Sequence, residues 1–247
     1  MSHMTSAKHF IFSVVFLFIY SINGLPQQTV NFPSKDGLDV TADLYLVDLN
    51  KPYILLLHQA GYSRGEYREI APRLTRLGYN CLAIDQRSGY EVNFIANETA
   101  KRAKEKNLPV DYIDALPDIE AAIDYIKSRS DLPIVIWGSS YSASLALIET
   151  AKNLRVKAAI AFSPGEYFGE DDYIKSRISK ISVPILILSS REECAMVKEV
   201  CEPIKPNLKT FHCPSDIGKH GSKALWSSNP SNKDYWMSIT MFFSKLK

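Results

Sequence analysis

The stretch with the most chemical content is Ile134-Val135-Ile136-Trp137-Gly138-Ser139-Ser140-Tyr141-Ser142-Ala143-Ser144-Leu145, where an apolar run of strand length passes through small hydroxyl residues into a helical pattern. A serine held on a tight strand-to-helix turn projects its hydroxyl and can act as a nucleophile. Such a turn accepts only small residues two positions before and two after that serine. For Ser140 those positions are Gly138 and Ser142; for Ser139 they are Trp137 and Tyr141, both too bulky. The plainer role for the same residue is to cap the following helix. A nucleophilic serine also needs a base within reach and a group that orients the base. The chain has five histidines. His3 and His9 lie in the N-terminal segment, His58 ends the apolar run Leu55-Leu56-Leu57, His212 lies in the strand-like Lys209-Thr210-Phe211-His212-Cys213, and His220 sits in the loop Gly218-Lys219-His220-Gly221. Candidate carboxylates are Glu192 and Glu193, after the run Pro184–Leu188, and Glu166, after Ser163-Pro164-Gly165.

These residues have to be positioned by an alternation of strands and helices. Thr29–Phe32 and Leu38–Leu46 flank Pro33-Ser34-Lys35-Asp36-Gly37, whose Asp-Gly predicts a hairpin. Near-continuous apolar runs at 53–58, 80–85, 134–137, 156–162, 184–188 and 208–213 suit parallel strands covered on both faces. Helical patterns fall between them at 65–77, 110–129, 140–153, 171–179 and 193–204, and a last one spans 233–246. This alternation predicts a doubly wound α/β sheet, whose ligands bind beyond the carboxyl ends of the strands. The longest connection without a strand is Arg87–Pro109, with a short helix expected near Asn97–Lys106. The triplet Asn97-Glu98-Thr99 reads as the start of that helix rather than as a glycosylation site.

The strand, Gly138-Ser139-Ser140-Tyr141-Ser142 and helix together resemble the nucleophile elbow of the α/β-hydrolases, Gly-x-Ser-x-Gly, with Ser142 standing for the second glycine. Within that superfamily the chain, over about residues 28 to 246, is similar to the dienelactone-hydrolase-like and small serine esterase groups. That similarity rests on His58-Gln59-Ala60-Gly61, Asp85-Gln86-Arg87-Ser88-Gly89 and Ser163-Pro164-Gly165. The resemblance implies an α/β-hydrolase fold: a mostly parallel sheet with an antiparallel N-terminal hairpin. Only a short segment joins Ser163 to the helix near Asp171, so no large cap domain is expected there. It implies Ser140 as nucleophile, His220 as base in the loop after the last strand, and Glu193 as orienting acid, with Glu192 and Glu166 as alternatives. It assigns the Gln59 and Tyr141 amides to an oxyanion hole, and gives His58 and Asp85 structural roles. The order Ser140, Glu193, His220 is that of this fold. A dienelactone hydrolase proper carries a cysteine nucleophile, so Ser140 points to more general ester chemistry. The implied function is a carboxylesterase working through an acyl-enzyme on a small ester-like substrate, without cofactor or metal. The alternatives are a thioesterase or peptidase of the same fold, or a non-catalytic binding protein.

Composition narrows the field. Of 247 residues, 46% are hydrophobic and 23% charged, an ordinary globular balance. The formal charge of +2, with no long basic run, gives no case for nucleic acid. Met1-Ser2-His3-Met4 reads as a cloning scar, and Lys8-His9 followed by the apolar Phe10–Tyr20 reads as a signal peptide ending near Gly24. Spanning a bilayer takes about 20 apolar residues, so this run predicts export, secreted or periplasmic, with a tether only if it stays uncleaved. Residues 25–247 are then expected to form one domain. None of the four cysteines has zinc-type spacing. Cys81 reads as a buried hydrophobe. On one helix Cys194 and Cys201 would be separated by about 10 Å of rise, too far to bridge, which leaves a disulfide to Cys213 as the favoured pairing.

Overall fold

The computed structural model describes residues 27–246. Its strands are β1 (Gln28–Pro33), β2 (Asp39–Tyr45), β3 (Tyr53–Leu57), β4 (Asn80–Ile84), β5 (Glu91–Val92), β6 (Ile95–Ala96), β7 (Ile134–Ser139), β8 (Val156–Phe162), β9 (Ile185–Leu188) and β10 (Lys209–His212). Its helices are α1 (Ala71–Arg76), α2 (Glu98–Glu105), α3 (Leu116–Lys127), α4 (Tyr141–Lys152), α5 (Lys175–Ile178), α6 (Cys194–Val200) and α7 (Asn232–Lys245).

Eight strands form one sheet in the order β1-β2-β4-β3-β7-β8-β9-β10. β1 and β2 pair antiparallel, β2 runs antiparallel to β4, and every pairing beyond β4 is parallel. The β1–β2 turn closes at Gly37, whose φ of 77° is the left-handed conformation that glycine adopts without a Cβ clash. Alternation along the strands separates two cores. Leu55, Leu57, Ile134 and Ile136 pack with apolar faces of α3, α4 and α6, while Ile54, Leu56, Val135 and Trp137 pack with α1 and α7. Strands covered on both faces explain why the sequence shows continuous apolar runs there.

The register sets the carboxyl ends side by side. Leu57 lies opposite Gly138, Ser139 opposite Phe162, and Phe162 opposite Leu188, which lies opposite His212. The loops that follow these residues therefore emerge together at one edge.

The Arg87–Pro109 connection contains an element that composition does not announce. β5 and β6 form a two-residue ladder whose turn residues Asn93 and Phe94 both have positive φ. Asn97 then caps α2: its side chain accepts from Ala100 N–H at 2.8 Å and donates to Gln86 O at 2.9 Å, so it is an inward-facing residue. Two buried ion pairs anchor this segment. Asp85 accepts from the Arg64 guanidinium at 2.6 Å and from the Glu98 amide at 2.9 Å, the structural role expected of it. The guanidinium of Arg87 grips Asp118 of α3 at 2.7 Å and Asp36 of the hairpin turn at 2.7 Å. Removing one member of a buried pair strands its partner's charge away from water. Asp118→Ala is therefore expected to lower unfolding stability by about 3–5 kcal/mol, read as a fall in the urea midpoint, whereas Glu105→Ala on the exposed end of α2 should leave that midpoint nearly unchanged.

Candidate active site

Ser140 sits between β7 and α4 with φ 59° and ψ −126°, a region that costs a non-glycine residue about 1–3 kcal/mol. The turn is tight enough that a Cβ on Gly138 would lie 2.2 Å from Ser142 O and 2.5 Å from Ala143 Cα. Ser142, where the family pattern has glycine, uses its hydroxyl: it donates to His58 O at 2.5 Å and accepts from Gln86 Nε2 at 2.5 Å. The departure from glycine thus ties the elbow to the β3 loop. Ser139 faces the other way, donating to Glu66 Oε1 at 2.7 Å and accepting from Ser222 N–H at 2.8 Å.

The structure brings Ser140, His220 and Glu193 together. Ser140 Oγ donates to His220 Nε2 at 2.8 Å, and His220 Nδ1 is hydrogen-bonded to Glu193 Oε1. Positive φ at Gly218 and Gly221 shapes the base loop, and a Cβ on Gly221 would fall 2.4 Å from Gln59 Oε1. The second oxygen of Glu193 accepts from Ser163 Oγ at 2.8 Å, Ser190 N–H at 3.0 Å and Ser190 Oγ at 2.8 Å. Burial alone would push this carboxyl up. The bonds and charge from His220, with those from Ser163 and Ser190, outweigh it and bring the pKa down to about 2. The alternatives lie elsewhere: Glu192 is exposed, and Glu166 accepts from Ile174 N–H at 2.7 Å and Lys175 N–H at 3.1 Å at the start of α5.

One assignment is corrected. The Gln59 amide, expected in the oxyanion hole, donates to Glu66 Oε2 at 2.7 Å and is turned away from that duty. The next amide on the loop, Ala60 N–H, has no protein acceptor among the described residues, and neither has Tyr141 N–H. His58 is buried and structural. Its Nδ1 donates to Gln59 O at 2.9 Å and its Nε2 accepts from Gln86 N–H at 3.0 Å; burial lowers its pKa to about 4, so it stays neutral.

The sequence did not single out Glu66 or Tyr112, and it offered Ser163 only as part of a family motif, without a role. Glu66 falls in an amphipathic stretch where an acid near a helix start normally faces water, so its type carries no signal of burial. A cavity of about 460 Å³ is lined by Ser88, Val110, Asp111, Tyr112, Tyr167 and Phe168, among others. Its wall lies beside the elbow: the Tyr167 phenol donates to Ser163 O at 2.9 Å, and Tyr112 stacks on Tyr141 at 4.4 Å. Tyr62 stacks on Trp226, and Phe94 is exposed at the β5–β6 tip.

Cys194 and Cys213 are disulfide-bonded, with Cα atoms 5.9 Å apart, while Cys81 and Cys201 are free and buried. The bridge joins the residue after Glu193 to the segment leading into the base loop. No group of His, Cys, Asp and Glu suited to a metal occurs among the described residues, and no described helix is long and apolar enough to cross a membrane.

The sheet order, the elbow and the loops at its carboxyl edge define an α/β-hydrolase fold without a large cap. A sequence profile of the dienelactone hydrolase family matches residues 44–223, and the chain belongs to that family, a family of hydrolases. Among solved structures it is similar to a dienelactone hydrolase of Anabaena variabilis, at 16% identity and a TM-score of 0.70 over 90% of this chain and 99% of that one. It is also similar to an esterase of Pyrococcus furiosus, at 16% identity and a TM-score of 0.64 over 89% and 90% of the two chains. Among characterised proteins, the quorum-quenching protein AidA of Acinetobacter baumannii is 29% identical over 152 residues, 58% of this chain and 46% of AidA. The chain thus matches less than half the length of that relative.

The disulfide closes a 19-residue separation, which in the chain-entropy treatment is worth about 3 kcal/mol. Cys213→Ser, or reduction with dithiothreitol, should lower Tm by several degrees. Cys201→Ser should leave the dithiothreitol-sensitive step in place, and a melting curve indifferent to reductant would contradict the bridge.

Proposed function

We propose that the protein is a serine carboxylesterase in which Ser140, His220 and Glu193 are the catalytic residues. The observation that carries this is the continuous hydrogen-bond chain from Ser140 Oγ through His220 to Glu193, built on a strained elbow. Ser140 Oγ attacks the acyl carbon while its proton passes to His220 Nε2. The tetrahedral intermediate collapses, and the leaving alcohol takes that proton. Water, deprotonated by the same nitrogen, then releases the acyl group from Ser140. Glu193 holds the ring with Nδ1 protonated and balances the imidazolium as it forms. The oxyanion donors are the amides of Ala60 and Tyr141. Fixed amides of this kind are each worth about 3 kcal/mol in the transition state.

The cavity next to Tyr141, at the elbow, favours an uncharged ester. Three aromatic rings and two aliphatic side chains line it, and its one charged lining residue is Asp111. A carboxylate-bearing substrate would meet no cation among those lining residues. The Pyrococcus neighbour is an esterase, which supports ester chemistry in general terms. Export is part of the proposal: a structural disulfide suits an oxidising compartment, and the secreted protein is expected to begin near Leu25 by N-terminal sequencing.

A fluorophosphonate probe should form a single adduct on Ser140, located by mass spectrometry and absent in Ser140→Ala. The same substitution should lower kcat on p-nitrophenyl butyrate by about 10³-fold or more. Phenyl acetate should be turned over with a higher kcat/KM than 4-carboxyphenyl acetate. Folded wild-type protein that neither labels nor hydrolyses any ester would overturn the assignment.

A further inference from the structure

One carboxylate lies beneath all three loops of the site without touching the reacting atoms. Glu66 is fully buried. Its Oε2 accepts from the Gln59 amide at 2.7 Å on the loop after β3, and its Oε1 accepts from Ser139 Oγ at 2.7 Å on the elbow. Ser139 Oγ in turn accepts from Ser222 N–H at 2.8 Å on the base loop, next to Gly221. Trp226 Nε1 closes the circuit by donating to the Glu66 carbonyl at 2.9 Å. Resting on the esterase assignment above, we propose that Glu66 is the positioning residue of the oxyanion hole: by holding the Gln59 amide inward it presents Ala60 N–H to the substrate, and through Ser139 it keeps the base loop in register with the elbow.

The proposal requires the ionised form. Ser139 Oγ already accepts from Ser222, so a proton on Oε1 would leave the Ser139 hydroxyl proton without its acceptor. A proton on Oε2 would displace the Gln59 amide. The titratable and charged groups that face Glu66 are His220 and Lys223 from the base loop, Tyr62 and Tyr67 from its own segment and Tyr141 from the elbow. Burial, against the Gln59 and Ser139 hydrogen bonds and the nearby cations, pushes its pKa up to about 7. A carboxyl raised in the folded state stabilises the fold fully below its unfolded pKa and loses that contribution as pH rises through the folded value. Ionised Glu66 is therefore held at a cost in stability, the pattern expected of a functional rather than a structural group.

The test compares wild type, Glu66→Gln and Ser139→Ala with p-nitrophenyl butyrate and the fluorophosphonate probe. Glu66→Gln should melt at or above the wild-type Tm at pH 8, yet lose about 10- to 100-fold in kcat with KM within threefold, because an oxyanion hole acts in the transition state. Ser139→Ala, which spares the Gln59 bond, should lose less, about 3- to 10-fold. Between pH 7 and 5.5 the wild-type log kcat/KM should fall by more than one per pH unit, and that of Glu66→Gln by no more than one. The probe should label Ser140 more slowly in Glu66→Gln. Equal labelling and kcat/KM in wild type and Glu66→Gln, or a loss of kcat that only tracks a lowered Tm in both variants, would overturn the role of Glu66 while the esterase assignment stands. Absence of label in the wild type would overturn that assignment and this role with it.

Discussion

The rest of the site depends on holding one serine in a backbone conformation that serine does not favour. Left-handed φ at Ser140 costs about 1–3 kcal/mol, and the surroundings supply the constraint from several sides. Gly138 clears room for the returning backbone. Ser140 N–H is pinned to Phe162 O at 2.8 Å, so the strained residue remains part of the ladder with β8. Ser142 ties the first turn of α4 to the β3 loop, and Ser144 ties the next turn to Gly165, donating at 2.7 Å and accepting at 2.9 Å. Each of these bonds reaches a loop at the carboxyl edge. The strain at one residue therefore sets the mutual placement of the elbow and the loops that follow β3 and β8.

Parallel pairing makes this economical. Adjacent strands end at matching register, so His58, Ser140, Ser163 and Ser190 arrive in neighbouring positions although they are far apart in sequence. Small hydroxyl residues dominate that edge, and they serve as two-sided connectors. Ser139 and Ser163 each donate to a carboxylate and accept a backbone amide from the base loop, at 2.8 Å and 3.1 Å respectively. A hydroxyl has one donor and two acceptor lone pairs, which lets it join a carboxylate to an amide in a space too small for a longer polar side chain. Alanine at these positions would leave buried amides unpaired, a cost of about 1–3 kcal/mol each.

How much of this was legible in the sequence follows from the range of each interaction. The strands and the elbow were legible because their signals are local: apolar runs, a bulky or small residue at a fixed offset from a serine, an Asp-Gly between two strands. Strand ends fell within a residue or two of the observed ones. The stretch 65–77 was less faithful, dividing into a 3-10 turn at Arg64–Tyr67 and the short α1, because Pro72 starts a fresh helix after the loop has turned. The grouping of Ser140, His220 and Glu193 was reached only through resemblance, since no local pattern joins residues that far apart. Gln59 was misassigned for a related reason. Which of two successive amides faces the substrate depends on where the first one is held, and its holder, Glu66, carries no sequence mark of burial.

Two carboxylates that hydrogen-bond toward the same loop, Glu193 directly to His220 and Glu66 through Ser139 to Ser222, end in opposite states because their donors differ. Glu193 receives the His220 ring N–H and three further donors, and falls to about 2; Glu66 receives one amide and one hydroxyl in complete burial and rises to about 7. Pairs of titratable groups driven apart in this way mark where a fold performs acid–base work. Their contributions to stability oppose each other. That of Glu193 is present above its unfolded pKa of about 4.5 and is lost as pH falls toward 2, and that of neutral His58 is lost as pH falls from about 6.5 through 4. That of Glu66 runs the other way, present below about 4.5 and lost as pH rises through 7. The contribution of Glu66 to stability thus belongs to the acid side of neutrality, while the hydrogen-bond network proposed beneath the elbow is complete only once Glu66 has lost its proton. In the role proposed for Glu66, stability and the working geometry of the site draw the ionisation of one buried carboxyl in opposite directions.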